Sequence, residues 1–184
     1  ITSAKDDQIY IASFDMNSAY RQLAVTEDDV QKFAFTFYND QFPHQLANKR
    51  MIFGVEDAPA TFSMLMRSVL SGIPGVWKYL DDIQVCSVGF ENLKKTLKIL
   101  FERLAAHGIT LSCKKSVIGT EQTELLGHVI SAKGLSIIPG KVDEIKNLPT
   151  PRTKDQVRSV LGSFVYFTHF VPYLMETLAP LYEL

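Results

Sequence analysis

Residues 76–87 limit the fold of this chain more than any other segment. Val76-Trp77-Lys78-Tyr79-Leu80 and Ile83-Gln84-Val85-Cys86-Ser87 are two apolar-rich runs of strand length, separated only by Asp81-Asp82. Two such runs joined by so short a turn read as an antiparallel hairpin. The hairpin is apolar enough to bury both faces, so other elements must cover it. A sheet needs more strands, and residues 9–14, an apolar run ending at Asp15, read as one feeding a polar turn. Residues 32–37 alternate in part and read as another. Asn39-Asp40 follows as a turn signal, with a partner strand expected near residues 44–53.

Two helices supply the cover. Asp57-Ala58-Pro59 opens the first, with Asp57 as its cap and Pro59 in the first turn, where the missing N–H does no harm. Phe62, Leu65, Met66, Val69 and Leu70 form its apolar face, and Gly72 ends it. The second, residues 91–107, is the clearest: Leu93, Leu97, Leu100, Phe101 and Leu104 recur at helical spacing, and Gly108 marks its stop. Residues 109–111, 116–118 and 125–131 read as three further short strands. Pro149-Thr150-Pro151 reads as a hinge between lobes. Thr153-Lys154-Asp155-Gln156 then signals a capping box, with Val157, Val160, Leu161, Phe164 and Val165 on one side of the helix it opens. Pro172 ends that helix, and a short helical tail runs on toward Leu184. The expected class is α+β: an antiparallel sheet backed by two helices, followed by a small helical lobe.

Composition narrows the function. With 184 residues, 46% hydrophobic and 21% charged, the chain is neither a disordered tail nor a disulfide scaffold. No apolar run approaches the ~18 residues of a membrane helix. The start at Ile1 shows no signal-peptide pattern, and its lack of Met leads us to expect a fragment or processed piece that is not secreted. Cys86 and Cys113 form no metal-binding pair, so they read as small core residues in a reducing compartment. The net charge is −1, unevenly spread: residues 1–90 hold 7 basic and 11 acidic side chains, and residues 91–184 hold 12 and 9. That split permits an acidic, metal-type centre in the first half and a polyanion-facing surface in the second.

Asp15, Asp81 and Asp82 are the candidates for such a centre. If the hairpin lies beside the first strand, all three carboxylates meet at one sheet edge. Each turn alone has an ordinary structural explanation, because Asp is common in turns. Adjacent like charges in an apolar hairpin repel, however, and a divalent cation relieves that repulsion. Carboxylates without His or Cys favour Mg²⁺ or Mn²⁺ over zinc. Two such ions ~3.5–4 Å apart suit in-line phosphoryl transfer.

Four motifs then occur in order: Phe14-Asp15-Met16-Asn17-Ser18-Ala19-Tyr20, Phe53-Gly54-Val55-Glu56-Asp57-Ala58-Pro59-Ala60-Thr61-Phe62, Tyr79-Leu80-Asp81-Asp82 and Leu125-Leu126-Gly127-His128-Val129-Ile130-Ser131. They resemble motifs A, B and C and the primer grip of the reverse transcriptases of retroviruses and gypsy-type LTR retrotransposons. Residues 149–184, with Leu161-Gly162 and Phe170-Val171-Pro172, are similar to the start of that family's thumb. The resemblance implies a right-hand polymerase palm with partial fingers and a small helical thumb. Residues 1–23 and 53–140 would form the palm, 24–52 the partial fingers and 141–184 the connection and thumb.

The resemblance also implies roles. Asp15, Asp81 and Asp82 would bind two Mg²⁺ or Mn²⁺ ions. Tyr20 would be the steric gate against a ribose 2′-OH, with core packing as its structural alternative. Phe53 and Gly54 would floor the nucleotide pocket, though a turn alone explains Gly54. Lys115 would be the lysine that donates a proton to pyrophosphate, with a solvated surface lysine as the rival. Tyr79, Leu126, Gly127 and His128 would hold the primer, while His128 is equally readable as a plain strand histidine. Gly162 and Tyr166, one helical turn apart, would face the template–primer minor groove.

The implied partners are an RNA or DNA template with a DNA primer, a dNTP, the RNase H and integrase regions of the same polyprotein, and a second copy if the family's dimers extend to this chain. The implied location is the cytoplasm, within virus-like particles, with no membrane partner. Several positions depart from the family's pattern, most of them losing positive charge: Asn17 stands for a basic residue, Glu56-Asp57 for a basic-Asn pair and Thr168-His169 for paired arginines, while Ser116 replaces a Cys. Only 14 residues precede Asp15, whereas the family carries a fingers segment upstream. These departures motivate an alternative, an inactive domesticated or truncated fragment acting as a scaffold or interaction module. A third class, an unrelated two-metal nuclease or phosphatase, shares the carboxylates but leaves the primer-grip and thumb motifs unexplained.

Overall fold

A computed structural model describes residues 7–38 and 43–183. The chain divides into two compact units, Ile1–Glu121 and Gln122–Leu184.

In the first unit, strand β1 (Ile9–Asp15) lies inside a four-stranded sheet with β4 (Val76–Tyr79), β5 (Asp82–Val88) and β6 (Val117–Thr120), in the order β4-β5-β1-β6. β1 runs antiparallel to β5 and β6, and β4 antiparallel to β5. Helices α1 (Ala58–Leu70) and α2 (Phe90–Ala106) supply the rest of the core. Ala12, Phe14 and Met16, Ile83 and Val85, Phe62, Met66 and Val69, and Leu93, Leu97, Leu100 and Leu104 form one buried cluster. Each large side chain in it contributes about 1.5–3 kcal/mol. Arg103 of α2 donates to the carbonyls of Val69 and Ser71, satisfying the open C-terminal end of α1 with a cation.

The hairpin expected at residues 76–87 forms, with its turn one residue earlier than expected. Tyr79 pairs with Asp82, so Leu80-Asp81 make the turn and Asp82 opens β5. Burial of both faces holds for β5, where Ile83, Gln84 and Val85 are consecutively buried. It does not hold for β4, an edge strand that leaves Trp77 and Tyr79 exposed. Asp57 stands at the N-cap of α1 but its side chain accepts no bond there, because its backbone is already helical. Residues 109–111 make no strand: Leu111 forms one bridge to Met16, and backbone bonds from Asn17 and to Asp15 replace a ladder. β6 starts at Val117, and its pairing with β1 shifts register between Ile11 and Ala12.

Residues 24–50 leave this core and return. Their neck is closed by the Ala24–Arg50 bridge and by the Val25 amide donating to the Lys49 carbonyl. Within this excursion, β2 (Ala34–Tyr38) pairs with β3 (Pro43–Ala47), and all their residues are exposed. The expected turn at Asn39-Asp40 lies outside the described residues.

In the second unit, β7 (Gln122–Leu125), β8 (His128–Ser131) and β9 (Gly134–Ile137) form an antiparallel sheet. The single strand expected over residues 125–131 is thus a hairpin, broken at Leu126-Gly127, where both residues take left-handed backbone angles (φ 50 and 79). Helices α3 (Lys141–Lys146), α4 (Lys154–Phe164) and α5 (Leu174–Tyr182) follow, with a 3₁₀ turn over Val165–Phe167. The Thr153 side chain caps α4 by accepting from the Gln156 amide at 3.3 Å. Gln156 returns a bond to the Arg152 amide rather than to Thr153, one residue beyond the expected box.

Candidate active site

Sheet register brings the three aspartates to one edge. Asp15 closes β1 and pairs directly with Asp82, the first residue of β5. The Met16 amide donates to the Asp81 carbonyl at 3.2 Å, which fixes the hairpin tip beside the end of β1. On the other side, the Ser112 amide donates to the Asp15 carbonyl at 2.8 Å. The turn that follows, held by the Ser116 hydroxyl on the Ser112 carbonyl, presents Lys115. Its ammonium sits 2.9 Å from Asp15 Oδ2 and 3.4 Å from Oδ1. The Asp15 side chain is only 17% exposed, whereas that of Lys115 is 70% exposed.

Charge follows from this geometry. Burial pushes the Asp82 carboxyl above its ordinary value; the nearby Asp81 and Asp15 push it further, and Lys115 opposes them. The hydrogen bond to Asp15, and then its charge, raise Lys115. An all-oxygen edge carrying excess negative charge suits a hard divalent cation. Among the described residues, no three His, Cys, Asp or Glu side chains converge as a ready-made metal cluster. Lys115 is the cation that neutralises Asp15.

Beside this edge the chain turns through Ser18 (φ 51) into a 3₁₀ helix over Ala19–Gln22. The Tyr20 ring stands edge-on to Phe53 and to Phe62, with centroids 5.4 and 5.5 Å apart. Tyr20 therefore joins the core through Phe62 while touching Phe53, which is 65% exposed. Gly54 has φ +89 with no atom near a built Cβ, so backbone conformation, not space, calls for glycine there. Tyr79 is exposed at the hairpin tip.

Two positioning groups escaped the sequence reading. Gln22 bonds both the amide and the carbonyl of Thr110, at 2.7 and 2.9 Å, and its Nε2 also donates to the Asn17 carbonyl. It stitches the loop after β1 to the segment that leads to Lys115. Gln84, buried opposite Ser13, donates to the Ser13 hydroxyl at 2.7 Å. A single glutamine in a four-residue helix carries no sequence pattern. Gln84 in an apolar strand was visible, but its partner depended on register.

The second unit gathers Gly127, His128 and Tyr166. The His128 and Tyr166 rings stack at 4.6 Å and 7°, and the Tyr166 hydroxyl donates to the Gly127 carbonyl. Leu126 is exposed at the turn. Gly162 is exposed on α4, with open space where a side chain would be.

Comparisons with known proteins bear on the fold and the family. The sequence model of the family described as "Reverse transcriptase (RNA-dependent DNA polymerase)" matches residues 2–130. A Pol polyprotein from the transposon opus of Drosophila melanogaster is 28% identical over 95% of this chain and 17% of its own length. The Pro-Pol polyprotein of feline foamy virus is 28% identical over 95% of this chain and 15% of its own length. This chain thus spans less than a fifth of the length of these relatives. Among solved structures, a foamy viral protease-reverse transcriptase in complex with double-stranded DNA superimposes with a TM-score of 0.86 at 30% identity, covering 97% of this chain and 31% of that one. The same viral protein in complex with an RNA/DNA hybrid gives 0.82 at 30% identity, covering 97% and 24%. The antiparallel sheet and its helices are consistent with a polymerase palm fragment, and the chain belongs to the reverse transcriptase family.

Proposed function

We propose that this chain is the polymerase core of a gypsy-type LTR-retroelement Pol polyprotein, with Tyr79-Leu80-Asp81-Asp82 as its YxDD motif. Its reaction joins a dNTP to a primer 3′-OH on an RNA or DNA template. The observation that supports this best is the pairing of Asp15 with Asp82, with the Asp82 carboxyl pushed up beside Asp81 and Asp15. Such an edge is stabilised by added positive charge.

Asp15, Asp81 and Asp82 would hold two Mg²⁺ or Mn²⁺ ions, whose charge lowers the pKa of a primer 3′-OH and offsets charge on the leaving pyrophosphate. Lys115, released from Asp15, stands within reach of that edge to give a proton to pyrophosphate. Tyr20, braced by Phe62, presents a rigid ring that would clash with a ribose 2′-OH, and Phe53-Gly54 floor the same pocket. Residues 24–52 act as partial fingers and residues 141–184 as connection and thumb. Leu126-Gly127-His128 serve as primer grip, with Gly162 and Tyr166 on the thumb side. The working protein includes RNase H and integrase regions, assembles in cytoplasmic virus-like particles, and is open to dimerisation.

The test is primer extension on poly(rA)/oligo(dT) with Mg²⁺ or Mn²⁺, using the chain joined to upstream fingers. Activity is expected, and Asp81→Asn should abolish it. No extension in either metal, together with no template–primer binding, would leave the second reading, an inactive scaffold. One observation favours that reading: Lys115 already neutralises Asp15.

A further inference from the structure

We propose that Tyr166 is a positioning residue that sets the Leu126-Gly127 turn, rather than a side chain free to contact nucleic acid. This rests on the polymerase reading, in which that turn holds the primer end. The turn needs an external hold. Leu126 takes φ 50, a left-handed conformation disfavoured by roughly 1–2 kcal/mol for a residue with a Cβ. A four-residue strand on each side, Gln122–Leu125 and His128–Ser131, gives it few ladder bonds.

Tyr166 supplies the hold from the 3₁₀ turn that follows α4. Its hydroxyl donates to the Gly127 carbonyl and stands 3.5 Å from the Ile138 amide, which donates back to it. One oxygen thus links the β7–β8 turn to the end of β9. The ring stacks on His128, the next residue after the turn, and Phe167 closes its other contact edge-on at 4.9 Å. Phe170 lies 5.5 Å from His128, completing an aromatic cluster around the imidazole. Tyr166 Cε2 lies 3.7 Å from where a Cβ on residue 127 would be, so the glycine lets the ring sit over the turn. Hydroxyl and ring face are therefore committed within the unit.

Tyr166→Phe separates the roles, because it keeps the ring and removes the hydroxyl. In the active polymerase, kcat for primer extension should fall about ten-fold, while template–primer Kd stays within about two-fold. Amide hydrogen exchange, read without any catalysis, should speed up at residues 127, 128 and 138 by a similar factor. Unchanged exchange there overturns the latch. Faster exchange with unchanged kcat, or a Kd that rises in step with the loss of activity, overturns the positioning role; the latter would make Tyr166 a direct contact. Wild-type protein that extends no primer defeats the polymerase reading and the positioning role with it. The exchange measurement then still decides whether the latch exists.

Discussion

Asp82→Asn should stabilise this chain while removing the chemistry proposed for it. Asp82 faces Asp15 across β5 and β1 and follows Asp81 in sequence. Burial raises its carboxyl pKa, and the two neighbouring carboxylates raise it further. A group whose pKa is raised by folding favours its neutral form in the folded state. The stability it contributes is fully present below the unfolded pKa and is lost as pH rises through the folded one. At pH 7 the ionised Asp82 is therefore a net liability, which an amide of similar shape removes.

Like charges directly opposite on antiparallel strands cost roughly 0.2–1 kcal/mol. Asp82 has one such neighbour and another in sequence, but it is only half-buried, and solvent screens much of the repulsion. A gain of about 0.5–1 kcal/mol follows, or about 1–4 °C in Tm for a chain of this length. Thermal unfolding of metal-free protein at low ionic strength, from pH 7 to pH 3, measures it. The gain should be full at pH 7 and vanish below the ordinary Asp value of 3.8. Adding Mg²⁺ should reverse the ranking: an ion bound only by the folded state at a hundred times its Kd adds about 2.7 kcal/mol to wild type. Asp82→Asn should gain far less. If the variant is no more stable than wild type at pH 7, or if its gain persists unchanged at pH 3, burial and the neighbouring carboxylates do not raise Asp82 on folding.

Three further changes probe other parts of the site and fold. Tyr20→Ala should admit ribonucleotides, seen as a fall in the dNTP-to-NTP ratio of kcat/KM; an active variant with unchanged sugar selection would remove the gate role. Gly75→Ala should destabilise by more than about 2 kcal/mol, because Gly75 has φ +69 and a Cβ there would lie 2.3 Å from the Cys86 carbonyl oxygen. Denaturant unfolding checks it, and a midpoint equal to wild type would mean that β4 is entered differently. Lys115→Met should free Asp15 and make Mn²⁺ binding to the isolated chain a few-fold tighter by calorimetry. Unchanged affinity would mean that the ammonium does not compete for that carboxylate.

How much of this was legible in the sequence depended on whether a local pattern or a partner carried the information. α2 was legible because its leucines repeat at helical spacing, and all four proved buried. β1 and β5 were legible as apolar runs ending or starting at Asp. Their register was not, because pairing Asp15 with Asp82 is a long-range choice that neither strand encodes alone. α3 has six residues, four of them charged, and Gly134–Ile137 offers little strand propensity, so neither announced itself. β9 is held by its pairing with β8, whereas α3 buries no residue and carries only local ion pairs, Lys141–Glu144 and Lys146–Asp143. Residues 109–111 had strand propensity but found their bonds in the loop after β1 and in Gln22 instead.

The two hairpins share one feature that composition-based reading misplaces. Short hairpin turns favour Gly or Asn wherever φ is positive. Here Leu80 and Leu126 take φ 50 at the β4–β5 and β7–β8 turns, and both side chains are exposed, at 41% and 54%. Burial therefore does not account for leucine at either position. Such local rule-breaking is expected at functional sites, where neighbouring contacts hold a strained residue in place. At Leu80 that contact is the Met16 amide on the next residue's carbonyl, and at Leu126 it is Tyr166 on the next residue's carbonyl. In both turns the strained leucine precedes the carbonyl that is gripped, so the hydrogen bond to the turn and the exposed apolar tip come as one unit. The aspartates stood out in the sequence through the motifs that surround them, whereas the devices that hold their hairpin and the β7–β8 turn became visible only with the fold.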